Sequence, residues 1–181
     1  MTETLWIFGY GSLIWRPGFT PAERILARAE GWTRSFCMTS IHYRGTTAQP
    51  GLVLALDHAP GSVCSGLALS VPAGEEEEVL AYLRARELVS DAYEERRIPL
   101  LLADGRKVEA VTYVIRHDCG QFVQYDLETQ AKIIAQACGE VGPNCDYLWN
   151  TAQHLSDLGV ADPDLDWLAV RVRVLRQDID V

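Results

Sequence analysis

The apolar positions of this chain change their period part of the way along. Up to about residue 116 they fall in short alternating or continuous runs punctuated by Gly and Pro, as in strands; beyond residue 127 they recur every three or four residues, as in helices. The strand candidates are Thr4 to Phe8, Ile25 to Met38 with a break near Gly31, Leu52 to Asp57, Val63 to Val71, Glu94 to Leu102 and Lys107 to Arg116. Two turn-rich links, Asp57-His58-Ala59-Pro60-Gly61 and Ala103-Asp104-Gly105, have the length and composition of hairpin connections, so the pairing is expected to be antiparallel.

One helix interrupts the strands. It starts near Gly74, with Glu75 to Glu78 in a first turn where negative charge complements the macrodipole. Four consecutive glutamates point in different directions around a helix, so they form a solvated start rather than a metal cluster. Later helices are expected from Leu127 to Cys138, stopped by Gly139, and from Cys145 to Leu158, with Asn144 as N-cap and Gly159 just past the end. In the second of these Leu148, Ala152, Leu155 and Leu158 form the apolar stripe. The tail fits two patterns: Leu165, Leu168, Val172 and Leu175 at helical spacing, or Val170, Val172 and Val174 alternating as a strand. Asp162-Pro163, a good cap and first-turn pair, favours the helix. Mostly antiparallel strands with helices added late make an α+β domain, a single one over residues 1–181; closing the sheet into a small β-barrel flanked by helices would remove its edges.

Composition narrows the class. With 181 residues, 48% of them hydrophobic, the chain can bury a proper core. The 16 Lys and Arg against 25 Asp and Glu leave a net charge of −9, which disfavours nucleic acid and anionic membrane and favours a small-molecule substrate. Five cysteines, odd in number and without a Cys-x-x-Cys pair, fit free thiols in a reducing compartment, hence a cytoplasmic location. No apolar run reaches the roughly 20 residues of a membrane span, and no secretory leader is legible at the N-terminus.

Two features carry candidate chemistry. Phe8-Gly9-Tyr10-Gly11-Ser12-Leu13 puts two glycines and a serine at a strand end, where the backbone can turn sharply and gather N–H groups into an anion-binding concavity; the alternative is a plain tight turn. A positive φ is expected at Gly11, which a β-branched side chain would disfavour. The spacing matches neither a phosphate-binding Walker loop nor the dinucleotide fingerprint. The second feature is Glu87, which on a continued helix lies about 20° from Leu80 and about 40° from Leu83. A carboxylate on an apolar stripe, at a helix C-terminus, has its pKa raised and becomes a useful acid or base near neutral pH; the alternative is a frayed end, with Glu87 in solvent or paired with Arg84 or Arg86. Other candidates are weaker. His117-Asp118-Cys119 is too close in sequence for a thiol and its base. His42, His58 and His154 have no ligand spacing, so neither a metal nor a cofactor is assigned. Tyr10, Tyr93, Tyr125 and Tyr147 each offer a phenol, with a half-buried place at a core edge as the alternative.

The combination of Phe8-Gly9-Tyr10-Gly11-Ser12-Leu13-Ile14-Trp15, Gly31-Trp32-x-Arg34-x-Phe36-Cys37, Arg86-Glu87 followed by Tyr93, and Gly142-Pro143-Asn144-Cys145-Asp146-Tyr147-Leu148 resembles the ChaC-like γ-glutamylcyclotransferase family over essentially the whole length. The resemblance implies a small β-barrel flanked by helices and cleavage of glutathione to 5-oxoproline and cysteinylglycine. It also implies Glu87 as the acid/base residue and substrate contacts from Tyr10, Gly11, Ser12, Leu13, Tyr93 and Tyr147. The segment Leu88-Val89-Ser90-Asp91-Ala92 departs from the family by carrying less glycine. Two rivals are a non-catalytic, metabolite-binding or regulatory module of the same barrel superfamily and a cysteine-dependent amidase.

Overall fold

The computed structural model describes residues 3–180. It divides into two compact units, one formed by the residues up to Arg34 with Ala55–Cys119, the other by Ser35–Leu54 with the residues from Gly120 onward.

The strands are β1 (Trp6–Gly9), β2 (Glu23–Ser40), β3 (Gly51–Ser70), β4 (Tyr93–Leu102) and β5 (Lys107–Ile115). They close into a barrel in the order β1-β3-β2-β4-β5. β1 runs antiparallel to β3, with Trp6 opposite Ser70, and parallel to β5, with Trp6 opposite Ala110. That parallel pairing closes the barrel, and hairpin links do not predict it. The β4–β5 hairpin is as expected: Leu101 faces Lys107 across a turn in which Gly105 has φ +91°. Alternation places Ala27 and Ala29 of β2 and Ile98, Leu100 and Leu102 of β4 in the core with Trp6, Phe8, Tyr10 and Trp32. All four residues of β1 are buried, which is why that strand is continuously apolar.

Two expected breaks are bends instead. Gly31 (φ +83°) lies inside β2, and Gly61 (φ +85°) inside β3, so the separate candidates Leu52 to Asp57 and Val63 to Val71 are one strand and no hairpin forms at Asp57 to Gly61. Glycine reaches this left-handed backbone without steric penalty, so a strand can turn there without ending.

Helix α1 (Glu76–Glu87) follows Gly74, which has φ +92°. Glu76, Glu77 and Glu78 fill its first turn, Arg84 and Arg86 its last, both matching the macrodipole. Leu88 N–H closes on the Arg84 carbonyl, so the helix ends without a glycine cap.

The second unit holds α2 (Leu127–Gln136), α3 (Asn144–Asp157) and α4 (Pro163–Ile179), with a two-stranded ribbon of β6 (Cys138–Gly139) and β7 (Gly142–Pro143) between the first two. α4 packs on α2 and α3 through Leu165, Leu168 and Val172. The tail is a helix because Asp162 accepts the Leu165 N–H at 3.0 Å. The valine alternation is incidental: Val172 is fully buried while Val170 is 63% exposed. α2 stops two residues short of the expected Cys138, which pairs in the ribbon.

Asn144 is not the N-cap of α3, a place Pro143 takes. Its fully buried amide accepts the Leu52 N–H at 2.8 Å and donates to the Leu52 carbonyl at 2.7 Å, completing the edge of β3 as a paired strand would. Asn144→Ala therefore leaves two buried backbone groups unpaired and is expected to cost about 2–4 kcal/mol, read as a lower urea midpoint with an unchanged m-value. An unchanged midpoint would show the contact to be dispensable.

Candidate active site

The glycine turn is built by short-range bonds and held from outside by an arginine. Beyond Gly9 the chain passes into a short 3-10 turn, Ser12–Ile14, in which Ile14 N–H donates to the Gly11 carbonyl at 3.0 Å and Trp15 and Arg16 N–H donate to the Ser12 carbonyl. Those bonds use the later amides and none of Gly11, Ser12 and Leu13, which open the turn. Arg34 Nη1 donates to the Tyr10 and Ser65 carbonyls, both at 2.9 Å. The Tyr10 hydroxyl donates to the Tyr113 carbonyl at 2.8 Å.

Gly11 has φ −144°, so the positive φ expected there is absent; the chain reverses through the adjoining 3-10 turn. Close approach demands glycine at two neighbouring positions, Gly9 and Gly66. A Cβ on Gly9 would lie 3.3 Å from Ile14 N and from Leu13 Cβ, and one on Gly66 would lie 2.4 Å from the Gly9 carbonyl oxygen.

Glu87 closes the buried face of α1. Val79 and Leu83 are buried, and Glu87 continues their four-residue spacing with a side chain only 16% exposed. Burial raises its pKa above the ordinary carboxylate value, and the adjacent Arg86 guanidinium, Nε to Oε1 3.4 Å, opposes part of that rise. The Arg86 contact is an ion pair, and no hydrogen bond from another described side chain reaches this carboxylate, so its oxygens keep open lone pairs. The two sequence alternatives for Glu87 are both partly realised: it lies on the apolar stripe and it meets Arg86, whereas Arg84 forms a bidentate pair with Glu95, both bonds 2.8 Å.

Three side chains complete the surroundings. Arg86 reaches from α1 to the glycine turn, donating to Ser12 Oγ at 3.0 Å and to the Arg16 carbonyl. The Tyr113 hydroxyl donates to Glu95 at 3.1 Å, and its pKa is pushed well above that of a free phenol by burial and by the neighbouring Glu95 and Glu87 carboxylates. Glu95 is held below the ordinary carboxylate value, chiefly by its bonds from Arg84. Arg34 and Arg86 stand in recognisable sequence motifs, so their positions are legible in the chain although their partners are not. Tyr113 sits in an ordinary apolar strand and gives no signal.

Of the other expected residues, Ser12 and buried Leu13 are in the turn, and Tyr93 opens β4, half-buried, opposite Ile115. Tyr147 belongs to the second unit, where its hydroxyl accepts the Leu54 N–H at 3.2 Å and its ring packs against Phe36. Tyr125 is exposed. The Cys119 thiol donates to the Arg116 carbonyl and the His117 ring meets Asp57 at 2.7 Å, so each is engaged away from the other. All five cysteines are free, four of them buried. Among the described residues no three His, Cys, Asp or Glu side chains are grouped to hold a metal, and no helix is long and apolar enough to cross a membrane.

A closed five-stranded barrel with a glycine turn after its first strand and a desolvated glutamate at the end of its first helix has the γ-glutamylcyclotransferase fold. It superposes on the crystal structure of the yeast γ-glutamyl cyclotransferase specific to glutathione with a TM-score of 0.87 at 25% identity, covering 97% of this chain and 98% of that one. The family model described as ChaC-like protein matches residues 5–175, and the chain belongs to that family. Its relatives include the glutathione-specific gamma-glutamylcyclotransferase of Escherichia coli (strain K12), 37% identical over 94% of this chain and 74% of that protein. Another is the protein of the same name from Schizosaccharomyces pombe, 32% identical over 96% and 94% of the two chains.

Proposed function

We infer that the chain is a glutathione-specific γ-glutamylcyclotransferase, a lyase that releases 5-oxoproline and cysteinylglycine, and that Glu87 is its general base and acid. The bacterial and yeast relatives support the activity. The assignment of Glu87 is carried by one observation: a desolvated carboxylate with open lone pairs, joined through Arg86 to the glycine turn.

The substrate supplies its own nucleophile. In a γ-glutamyl amide the α-amine attacks the side-chain carbonyl, a C–N bond closes a five-membered lactam, and the bond to the cysteine nitrogen breaks. Glu87 takes a proton from the amine as the ring forms and returns one to the departing nitrogen, so the carboxylate ends as it began. The turn amides of Gly11, Ser12 and Leu13 bind the glutamyl end, its α-carboxylate or the oxyanion, and hold the chain folded so that amine and carbonyl meet. Tyr10 shapes this turn through its carbonyl and hydroxyl bonds, and Tyr93 and Tyr147 are proposed as further substrate contacts. The two units act as one functional domain, because the family match runs through both. A reducing cytoplasm, rich in glutathione, is the location proposed, and the free thiols fit it.

Incubation with a panel of γ-glutamyl peptides and amines, followed by mass spectrometry for 5-oxoproline, tests the activity. Glutathione is expected to be consumed with matching release of cysteinylglycine; no 5-oxoproline from any member of the panel would defeat the proposal. Since neither nucleophile nor base requires an ion, EDTA is expected to leave the rate unchanged. Loss of activity on chelation, restored by Zn²⁺ or Mg²⁺, would contradict this mechanism.

A further inference from the structure

We propose that Arg86 is a positioning residue for the reaction, holding the glycine turn and the Glu87 carboxylate in one fixed relation and supplying the positive charge that faces that carboxylate. The proposal rests on the reading of Glu87 as the base. Its ground is the distribution of the guanidinium's donors. Nη2 donates to Ser12 Oγ at 3.0 Å, Nη1 donates to the Arg16 carbonyl, and Nε lies 3.4 Å from Glu87 Oε1. The three partners come from both ends of the 3-10 turn and from the helix end, and a planar fork can engage them together only in a narrow range of orientations. The side chain is about three-quarters buried, so the arrangement is more than a solvated surface contact.

The neighbours of Glu87 leave Arg86 as the cation that acts on it. On α1, Arg84 is committed to Glu95, whose negative charge it balances. On β5, Tyr113 is neutral in the physiological range and donates its proton to that same Glu95. Burial favours the protonated form of Glu87, which cannot accept a proton from the substrate amine; Arg86 works against it. Fork geometry and charge thus serve separate ends, the first the relation of turn to base, the second the charge state of the base.

Two variants separate these roles. Arg86→Gln loses both, and the acid limb of its kcat/KM profile is expected to move up by about one pH unit, the low end of the shift an adjacent opposite charge produces, with kcat reduced at every pH. Arg86→Lys keeps the charge but not the fork. Its acid limb is expected to stay where the unaltered protein has it, while kcat remains well below that protein's value. A folded Arg86→Gln protein with an unmoved limb, or an Arg86→Lys protein with full kcat, would overturn the proposal; if Arg86→Gln does not fold, Arg86→Lys alone decides it. Glu87→Gln measured alongside tells the two failures apart. Near-normal turnover in that variant removes the base itself, whereas an inactive Glu87→Gln beside an unmoved Arg86→Gln limb removes only the role of Arg86.

Discussion

Glu87→Gln is expected to lower turnover of glutathione by about 10²- to 10⁴-fold, the range for removal of a general base. The amide fills nearly the same space but cannot take the proton from the attacking amine. KM should change little, because binding is assigned to the turn. Stability is expected to hold or rise at neutral pH. The folded protein raises the Glu87 pKa, so the stabilising contribution of this group is complete below the unfolded value of about 4.3 and is lost as pH rises through the folded value. At neutral pH, where the unfolded carboxyl group is ionised, burying it therefore burdens the fold, and Gln lifts that burden. Arg86 keeps Ser12 and the Arg16 carbonyl as partners, so the substitution does not strand its charge. The gain in melting temperature over the unaltered protein should shrink as the pH is lowered towards 4. A Glu87→Gln protein that melts earlier at pH 7 and still cyclises glutathione normally would make this residue a structural ion-pair partner and no base.

Gly9→Val should be nearly as damaging to kcat/KM, by about 10²-fold, the scale on which a 1 Å misplacement acts. A Cβ at this position already presses on Ile14 N and Leu13 Cβ at 3.3 Å, and the γ-methyls of valine need room that the 3-10 turn occupies. The turn must move, carrying the amides of Gly11, Ser12 and Leu13 with it. Overpacking of this kind costs about 1–3 kcal/mol, which a protein of this size can absorb, so the variant should be folded and poorly active. Circular dichroism and steady-state kinetics together check this. If the folded variant keeps its KM and kcat, the glycine turn is only a connection between β1 and β2.

Much of the architecture is legible in the chain because its causes are local. The hairpin at Asp104 and Gly105, the acidic start of α1, the cap at Asp162 and the glycine after α3 each depend on residues a few positions apart. Local signals mislead where a glycine has two uses. Gly31 and Gly61 look like strand ends, and the same backbone freedom instead lets β2 and β3 bend and continue. Asn144 looks like an N-cap because its amide competes well for backbone groups; the groups it takes are those of Leu52, 92 positions away.

The candidate site divides along the same line. Its residue types follow from motif, and the helical period brings Glu87 near the apolar face without deciding between burial there and a frayed, solvated end; the structure decides for burial, in line with Val79 and Leu83. Only the tertiary structure decided that Arg86 reaches Ser12, 74 positions away, that Arg84 turns to Glu95 instead of Glu87, and that Tyr113 sends its hydroxyl to the same Glu95. Those choices depend on how α1 lies against β4, β5 and the glycine turn. The chain states which donors and acceptors exist, and long-range packing of apolar faces decides which of them come within hydrogen-bonding reach.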